Sequence, residues 1–382
     1  MANRHTIAKK STHRYMDTLL ILILMLIIIF GLVMLYSVSS YDGGVTYGDT
    51  AYYFKKQLIN TIFGLIVMVI VSLIPYKVFL RFHVVIYAFA VIFLLLIIPF
   101  GTSVNGAKRW IHVAGISIQP AEIAKLAIII VLAYVLVRIG NYIDTWKGFI
   151  YAMAPSIPLV LMIYGITRNL SSAIIVAGIA FTMCFVVSKD YKRFALMLLV
   201  GVAFVALVVF VIVKNSEGSL GFRGERVLAW LDPTAYASGK GYQTVQALYA
   251  IGSGGVMGKG LGQSMQKLGY IPEAQNDMIF AIICEELGFV GAVCIIGMFL
   301  ILIWRCIMIA INVKDMAGSL LVTGFAAHIS IQVILNIAVV TNTIPNTGIS
   351  LPFISYGGSS VVSLLAEVGL VLSVQRSIIV RE

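Results

Sequence analysis

The stretch Gly269-Tyr270-Ile271-Pro272-Glu273-Ala274-Gln275-Asn276-Asp277-Met278-Ile279-Phe280 marks the point where a long polar segment gives way to an apolar run. Almost all of the remaining chain consists of apolar segments long enough to cross a membrane, about 20 residues each. Asp277 is the last charged residue before the apolar run begins. The sequence therefore places a carboxylate at the mouth of a membrane helix, a position suited to chemistry on a lipid-linked molecule.

The amino-acid composition excludes a soluble domain. Hydrophobic residues make up 60% of the chain and charged residues only 11%, and the mean hydropathy is +1.00. Such values are typical of proteins that cross the bilayer many times. Backbone groups must pair internally in lipid, and the sequence lacks the period-two alternation of a barrel, so the spans are predicted to be helices. We therefore predict an all-α polytopic membrane protein, one domain over residues 1–382, with about ten transmembrane helices.

The predicted spans are 18–39, 57–74, 84–100, 120–137, 149–167, 171–187, 194–213, 277–304, 317–340 and 359–375. Basic residues concentrate in the N-terminal tail, in the loops at 77–81, 138–147, 189–193 and 305–314, and in the C-terminal tail. By the positive-inside rule both termini are then cytoplasmic, and residues 214–276 form one long extracellular loop before the eighth helix. The same rule accounts for the net charge of +11, so we predict no nucleic-acid partner.

The cysteines all lie inside apolar segments or at their ends: Cys184, Cys284, Cys294 and Cys306. In that setting a cysteine behaves as a small buried hydrophobic residue. We predict neither a disulfide framework nor a metal site from them.

The long loop contains two segments, 225–231 and 242–251, that we expect to form short helices lying on the membrane surface. The glycine-rich run at 252–262 follows them and includes Lys259. Clustered glycines can bend backbone amides around phosphate oxygens, to which Lys259 would add positive charge. The run lacks a Walker A ending, and a flexible surface hinge is the preferred interpretation.

Asp277 has two explanations of equal weight from its position alone. Asn276 and Asp277 could cap the eighth helix, where a negative charge is stabilised by the helix dipole. Alternatively, Asp277 is a catalytic carboxylate. Glu285 and Glu286 lie more than two turns further along the same helix, and the rotation of 100° per residue turns them away from Asp277. We therefore expect no acid–base pair between either of them and Asp277.

The outer loop between the third and fourth predicted spans holds Lys108, Arg109 and Trp110. Two cations beside an aromatic ring at a membrane interface suit a pyrophosphate head group, but the same residues could serve as an ordinary interfacial anchor. A binding role for Arg109 is favoured only if its side chain faces Asp277.

Two further sets of polar residues lie within predicted spans. Glu122 and Lys125 share one face of the fourth helix, and a structural ion pair is the preferred interpretation, at the wall of a polar cavity. His328, Gln332 and Asn336 recur every four residues on the ninth helix, which predicts a stripe that hydrogen-bonds to neighbouring helices, or else a proton path.

The last outer loop, 346–360, interrupts the apolar pattern with proline and glycine. Non-helical backbone at membrane depth must line protein or water, so we expect a re-entrant loop near the site. Ser355 and Ser359 in this loop are candidate substrate contacts.

Seven motifs in this order form a specific combination: Gly106-Ala107-Lys108-Arg109-Trp110, Gln119-Pro120-Ala121-Glu122-Ile123-Ala124-Lys125, Gly241-Tyr242-Gln243, Ala250-Ile251-Gly252-Ser253-Gly254-Gly255, Gly262-Gln263-Ser264, Glu285-Glu286-Leu287-Gly288 and Leu351-Pro352-Phe353-Ile354-Ser355-Tyr356-Gly357-Gly358-Ser359-Ser360. Together they resemble the SEDS family of membrane proteins, whose branches are FtsW, RodA and SpoVE. The segment Arg226-Val227-Leu228-Ala229-Trp230-Leu231-Asp232-Pro233 looks closer to FtsW and SpoVE than to RodA.

The resemblance implies a peptidoglycan glycosyltransferase of the bacterial cytoplasmic membrane that polymerises lipid II into glycan strands at the outer face during cell division. It also implies release of undecaprenyl pyrophosphate, a class B penicillin-binding protein (a transpeptidase) as partner, and contact with other division proteins. The catalytic aspartate of the family falls on Asp277. For the leaving pyrophosphate, Arg109 is the first candidate cation and Lys108, Arg223 and Lys259 are weaker ones, with a bound divalent ion, Mg or Mn, as the alternative.

The chain departs from the pattern of the family at three positions. Asn276 and Met278 stand where the family commonly has Thr and Phe around the aspartate, and Asn169 stands where it usually has a carboxylate. We interpret the missing carboxylate as dispensable, because Asp277 and most of its surroundings match. Other functions for the same residues are a lipid II flippase, a non-enzymatic division scaffold, and the same chemistry in cell elongation or in spore cortex synthesis.

Overall fold

The computed structural model describes residues 12–14, 17–104, 107–113, 116–214 and 221–381. The basic N-terminal tail before Thr12, on which part of the charge argument rests, lies outside these residues. The helices are α1 (Thr18–Tyr47), α2 (Tyr52–Leu73), α3 (Tyr76–Arg81), α4 (His83–Phe100), α5 (Pro120–Ile139), α6 (Trp146–Met153), α7 (Ser156–Gly165), α8 (Leu170–Val187), α9 (Tyr191–Lys214), α10 (Gly221–Leu231), α11 (Tyr242–Gly254), α12 (Ile279–Asn312), α13 (Met316–Val340) and α14 (Gly358–Gln375). The strands are β1 (Thr12–Arg14), β2 (Gly101–Val104), β3 (Ala107–Val113), β4 (Ile116–Ile118) and β5 (Ile379–Arg381).

The helices confirm an all-α polytopic membrane protein with the predicted spans. Within the described ranges, nine helices are long and apolar enough to cross a membrane, and the bent pair α6–α7 supplies a tenth span. The bend of 49° falls at Pro155, which has no N–H to continue the helical ladder. Several helices are longer than predicted, most of all α1, which continues to Tyr47, and α12, which continues to Asn312.

The helices differ in how much protein surrounds them. In α13 and α14, 67% of the apolar window is buried inside the protein, whereas none of the window of α9 is. A helix that packs on few neighbours while remaining apolar on all sides faces lipid, since the bilayer satisfies its side chains. The centre of the bundle is therefore formed by α13 and α14, with α5, α8 and α12 packed around them.

The two ends of the bundle can be told apart by their contacts. Arg305 near the end of α12 donates from Nε to Asp17 at 2.8 Å, immediately before α1, and β1 pairs antiparallel with β5. Both terminal segments therefore lie at one end. Asp277 lies at the opposite end, because it precedes the first residue of α12. This arrangement fits an even number of spans; the side of the membrane that each end faces stays a prediction.

The long segment before α12 contains the two expected helices, α10 and α11. The expectation that 242–251 lies on the membrane surface is wrong, because α11 packs along α12 with Ala247 and Ala250 fully buried. It descends beside α12 until Gly254, where an added Cβ would lie 2.0 Å from the carbonyl oxygen of Cys284. This segment is re-entrant: it enters the bundle and returns to the surface before Asp277.

The glycine-rich run supplies hydrogen-bond partners for backbone groups at a break in α12. Gly288 has φ 68° and ψ −165°, which interrupts the helix. The carbonyls of Glu285 and Glu286 then accept from the N–H groups of Lys259 and Gly260 at 3.0 and 2.9 Å, and Phe289 N donates to Gly255 O at 2.9 Å. Unpaired backbone groups are costly at membrane depth, so these bonds explain why the run is packed there. The preferred interpretation of a flexible surface hinge is therefore wrong.

The only sheet of more than two strands in the described residues, β2–β3–β4, is formed by the loop between α4 and α5. The sequence did not predict this sheet. Its strands have 4, 7 and 3 residues, and segments this short do not show a clear alternation of apolar and polar residues.

Candidate active site

Asp277 is not the cap of α12. The helix begins at Ile279, Met278 occupies the N-cap position, and no side-chain cap bond is formed within these described residues. The Asp277 carboxylate instead accepts a long hydrogen bond from Gln243 Nε2 at 3.4 Å. The sequence left a helix cap and a catalytic carboxylate as equal explanations of Asp277, and this geometry does not support the helix cap.

The surroundings of Asp277 raise its pKa to about 6. Desolvation by the surrounding protein is the main cause, and the negative charge of Glu273 adds to it. The hydrogen bond from the backbone N–H of Asp277 itself acts in the opposite direction, as do the Coulombic attraction of Arg226 and the hydrogen bond from Gln243. At neutral pH the carboxylate is therefore mostly ionised but more basic than an ordinary aspartate, as a general base requires.

The last outer loop and α13 hold the backbone of Asp277 in place. Asn336 Nδ2 donates to Asp277 O at 2.9 Å and to Ile349 O at 2.6 Å. Gly348 lies beside the carboxylate, because a Cβ added there would be 3.5 Å from Asp277 Oδ2. Asn336 is fully buried, so the polar stripe of α13 packs inside the protein, as predicted. The expected proximity of the last loop to the site is also confirmed.

Helix α10 brings a cation to the site. Arg226 Nη1 donates to Asn346 O at 3.2 Å, and Trp230 Nε1 donates to Asn342 O at 3.0 Å. Asn346 Nδ2 donates in turn to Gln243 Oε1 at 2.9 Å. These bonds tie α10, α11 and the last loop together on one side of Asp277, with Arg226 within electrostatic range of the carboxylate.

Arg109 approaches the same side from β3. Side chains alternate along a strand, so Arg109 points away from the face shared by Lys108 and Trp110. Its Nη2 donates to Arg168 O at 3.4 Å, and its buried Nε makes no hydrogen bond within the described residues. Burial and the repulsion of Arg226 lower its pKa. Two partly buried arginines held close against their mutual repulsion are suited to binding an anion.

Lys108 and Lys259 lie elsewhere. Lys108 Nζ donates to Ile98 O at 3.1 Å, at the end of α4. Lys259 Nζ lies 2.6 Å from Glu285 Oε1, which also accepts from Met265 N at 3.2 Å. Lys259 is therefore paired with a buried acid well below the level of Asp277, and the structure does not bring it to the candidate active site.

Glu285 and Glu286 do not pair with Asp277, as predicted, and each forms an ion pair with a lysine. Lys267 Nζ donates to Glu286 Oε1 at 2.8 Å, and Ser37 Oγ of α1 donates to the same carboxylate at 2.8 Å. Both glutamates are completely buried. Their charges are neutralised by partners that come from the re-entrant segment, so these acids hold that segment against α12.

The predicted ion pair between Glu122 and Lys125 is confirmed, with 2.8 Å between Lys125 Nζ and Glu122 Oε1. Both residues are buried, and Lys125 also donates to Gln332 Oε1 at 3.2 Å. Gln332 and His328 lie 2.9 Å apart, and His328 Nδ1 lies 2.8 Å from Glu367. This network packs α5, α13 and α14 together in the centre of the bundle.

The remaining candidate residues have local partners or lack a described side chain. Ser355 Oγ accepts from Leu351 N at 2.8 Å, and Ser359 Oγ accepts from Gln119 N at 3.2 Å. Arg223 belongs to α10, but its side chain lies outside the described residues. Among the described residues, no cluster of three or more His, Cys, Asp or Glu forms a metal site.

Sequence reasoning missed Arg226, Gln243 and Asn336 as parts of the site. Arg226 and Gln243 lie inside motifs that carry the family resemblance, and that membership was the only available signal. Asn169 has a clear local role: its Oδ1 accepts from Ser172 N at 3.0 Å and caps α8. An asparagine caps a helix as well as an aspartate does, so the missing carboxylate leaves this bond intact.

Comparisons with known proteins place the chain in a family. The family profile FTSW_RODA_SPOVE, described as "Cell cycle protein", matches residues 17–378. Stage V sporulation protein E of Bacillus subtilis is 38% identical over 364 residues, which cover 94% of this chain and 97% of that protein. The probable peptidoglycan glycosyltransferase FtsW of Trichlorobacter lovleyi is 35% identical over 363 residues, covering 94% and 92%.

Solved structures agree with this result. One matching chain comes from the solved structure described as "Structural coordination of polymerization and crosslinking by a peptidoglycan synthase complex". It matches with a TM-score of 0.78 and 27% identity, over 95% of this chain and 98% of that one. The crystal structure of Thermus thermophilus rod shape determining protein RodA matches with a TM-score of 0.68 at 24% identity, over 95% and 97%, and supports the fold alone. The chain belongs to the FtsW/RodA/SpoVE family of cell cycle proteins.

Proposed function

We propose that the protein is a peptidoglycan glycosyltransferase that polymerises lipid II at the outer face of the bacterial cytoplasmic membrane, with Asp277 as its general base. The observation that carries the proposal is the state of Asp277: a carboxylate with a pKa raised to about 6, beside an arginine, at the end of a multi-pass bundle. The name of the FtsW relatives supports the reaction class.

Asp277 removes the proton that blocks the reaction. The 4-hydroxyl of the acceptor sugar attacks the anomeric carbon of the donor, and its proton passes to the carboxylate as the new C–O bond forms. The bond from the anomeric carbon to the lipid diphosphate breaks, and its electron pair leaves with the diphosphate. General base assistance of this kind contributes about 10²–10⁴-fold.

Arg226 and Arg109 stabilise the leaving diphosphate. Negative charge develops on that group as its bond breaks, and fixed cations in a partly desolvated site stabilise it strongly. Arg109 keeps the role that the sequence suggested, and Arg226 takes the place of Lys259, which is paired with Glu285. Binding two lipid-anchored substrates in one site supplies much of the remaining acceleration.

The biological role that fits best is septal cell-wall synthesis in division. A class B penicillin-binding protein would cross-link the new strands, and other division proteins would recruit the pair. The similar chain of a synthase complex that couples polymerization and crosslinking supports such a partner. The identity of 38% to a stage V sporulation protein supports spore cortex synthesis as the second candidate role.

The test is polymerisation of lipid II by the purified protein, with its partner if required. Asp277→Asn should lower the rate by about 10²–10⁴-fold. Glu225→Gln is the matched control, since Glu225 is an exposed acid on α10, and it should stay within about twofold of wild type. Equal polymerisation by Asp277→Asn would show that the base assignment is wrong.

Two further outcomes separate the competing functions. Transport of lipid II into liposomes without polymer product would favour a flippase. Normal division in cells that carry only a folded Asp277→Asn protein would favour a scaffold.

A further inference from the structure

A cavity of about 190 Å³ lies beside Asp277, between α10, α11 and the last outer loop. Its lining includes Arg226, Trp230, Tyr242, Gln243, Thr244 and Asn346. Asp277 itself is not among the lining residues, so the cavity is separate from the point where the proton is removed. The mechanism described above uses Arg226, which forms part of the lining, but it assigns no ligand to the cavity itself.

The lining matches the chemistry of a sugar. Trp230 and Tyr242 offer aromatic rings, Thr244 offers a hydroxyl, and the amides of Gln243 and Asn346, which bond to each other, have oxygens that can accept a second hydrogen bond. Such a lining suits a ring that carries several hydroxyls and an acetamido group, because it combines aromatic faces with polar groups. A volume of about 190 Å³ is below the range of about 300–1,000 Å³ for sites that enclose a drug-sized ligand. The cavity therefore has room for one ring and not for a whole disaccharide.

Gln243 connects the cavity to the catalytic carboxylate. Its Oε1 accepts from Asn346 Nδ2 at 2.9 Å, and its Nε2 donates to Pro272 O at 3.1 Å and to Asp277 Oδ1 at 3.4 Å. A ring in the cavity would contact one side of this amide while Asp277 lies on the other. The next ring of the same glycan would then extend toward Asp277.

We propose that this cavity is a subsite for one N-acetylated sugar ring of the lipid-linked substrate, next to the ring whose hydroxyl Asp277 deprotonates. The proposal rests on the proposed function, because it takes the substrate class from it. Arg226 and Lys240 also line the cavity, so a diphosphate bound there is the alternative that the experiment must separate.

The first experiment compares two tyrosines of one helix. Tyr242 lines the cavity, whereas Tyr249 on the same helix is 59% exposed and outside the lining. With lipid II as substrate, Tyr242→Ala should raise KM by about tenfold and change kcat by less than about threefold, the pattern for loss of binding shared by ground and transition states. Tyr249→Ala should stay within about twofold in both. A KM within about twofold of wild type for Tyr242→Ala would overturn the proposal, whatever the sugar titration shows.

The second experiment measures binding without catalysis. The chain has four tryptophans, and replacing Trp110, Trp146 and Trp304 with Phe leaves Trp230 as the single reporter. In the Asp277→Asn background, N,N′-diacetylchitobiose should change its emission saturably. Cellobiose, which lacks the acetamido groups, should bind at least about tenfold more weakly, and inorganic pyrophosphate, which the proposed mechanism places at Arg226 and Arg109, should not displace the sugar. A saturable response to pyrophosphate alone would show an anion site and overturn the sugar assignment.

The two experiments also separate this proposal from the function on which it rests. If wild type polymerises lipid II and Asp277→Asn does not, the function stands however Trp230 responds. If wild type does not polymerise lipid II, the proposed function fails, and the titration alone then decides whether the cavity binds an N-acetylated sugar.

Discussion

Asp277 and the pair Glu285–Glu286 are acids of the same short segment, but their surroundings are opposite. Each glutamate has a lysine within hydrogen-bond distance, Lys259 or Lys267, and further donors from serine or backbone. Within the described residues, the Asp277 carboxylate accepts one long hydrogen bond from another side chain, and the nearby Arg226 donates to a loop carbonyl. Complete pairing makes an acid structural, and incomplete pairing leaves it reactive.

The difference also explains the pKa of Asp277. An acid that loses water without gaining strong donors has its neutral form favoured, which raises its pKa. The site thus retains an incompletely compensated charge at a cost in stability, as functional sites often do. The deeper cluster has the opposite task, because the re-entrant segment depends on it for attachment to α12.

The largest expected effect is on the deep cluster. Glu286→Leu leaves Lys267, which is 8% exposed, as a buried cation without its carboxylate. Breaking a buried pair in this way costs about 3–5 kcal/mol, whereas replacing both partners is often neutral. Thermal unfolding in detergent should show a large loss for Glu286→Leu and recovery in Glu286→Leu with Lys267→Met.

Asp277→Asn is the comparison for this experiment. It should not lower the unfolding temperature, because the side-chain bond that the described residues give this carboxylate is a long one, from Gln243. A neutral Glu286→Leu, or an Asp277→Asn that unfolds readily, would show that the two regions do not differ as described.

The break in α12 gives the second largest effect. At Gly288 an alanine would need a positive φ and would place its Cβ 2.3 Å from Gly258 N. The backbone strain alone costs about 1–3 kcal/mol, and the glycine-rich run must also move. Gly297→Ala on the same helix is the control, since a Cβ there meets no atom of the described residues within 4 Å; it should be neutral or stabilising by up to about 1 kcal/mol. Equal thermal stability of the two variants would contradict the close pairing of Gly288 with Gly258.

The pH profile tests the incomplete pairing of Asp277 directly. The general base must be ionised, so kcat/KM should rise with pH through about 6 in wild type. Arg226 favours the ionised form, so Arg226→Gln should move this limb to higher pH. Glu273 opposes ionisation, so Glu273→Gln should move it to lower pH. A limb that stays in place in both variants would mean that another group sets it.

The sequence was sufficient for the spans because their apolar length is a property of each segment alone. The Glu122–Lys125 pair and the stripe on α13 were also predictable, since helical spacing puts their members on one face. The re-entrant path of 242–271 was not, because its burial depends on a break at Gly288 whose backbone groups need partners from a distant segment.

The residues of the candidate site also divide into those that a local pattern predicts and those that only the tertiary packing brings together. Asp277 could be found because it stands alone at a boundary of composition. Arg226 could not be separated from Arg223, Lys240 or Lys259, since only the docking of α10 on the last loop decides which cation reaches the carboxylate. The pairing of Lys259 with Glu285 likewise joins residues whose approach no local pattern indicates.

The smallest expected effect concerns Asn169, where the family pattern has an acid. Asn169→Asp keeps the cap of α8, so its stability should change by no more than about 0.5 kcal/mol, whereas Asn169→Ala should lose about 1 kcal/mol. The new charge would lie next to Arg168, whose carbonyl accepts from Arg109. If Arg109 acts on the diphosphate through its charge alone, the polymerisation rate of Asn169→Asp should change by less than about threefold. A rate change of tenfold or more, with the stability of the protein unchanged, would show that residue 169 affects the reaction. It would also show that the action of Arg109 on the diphosphate depends on whether residue 169 is an acid.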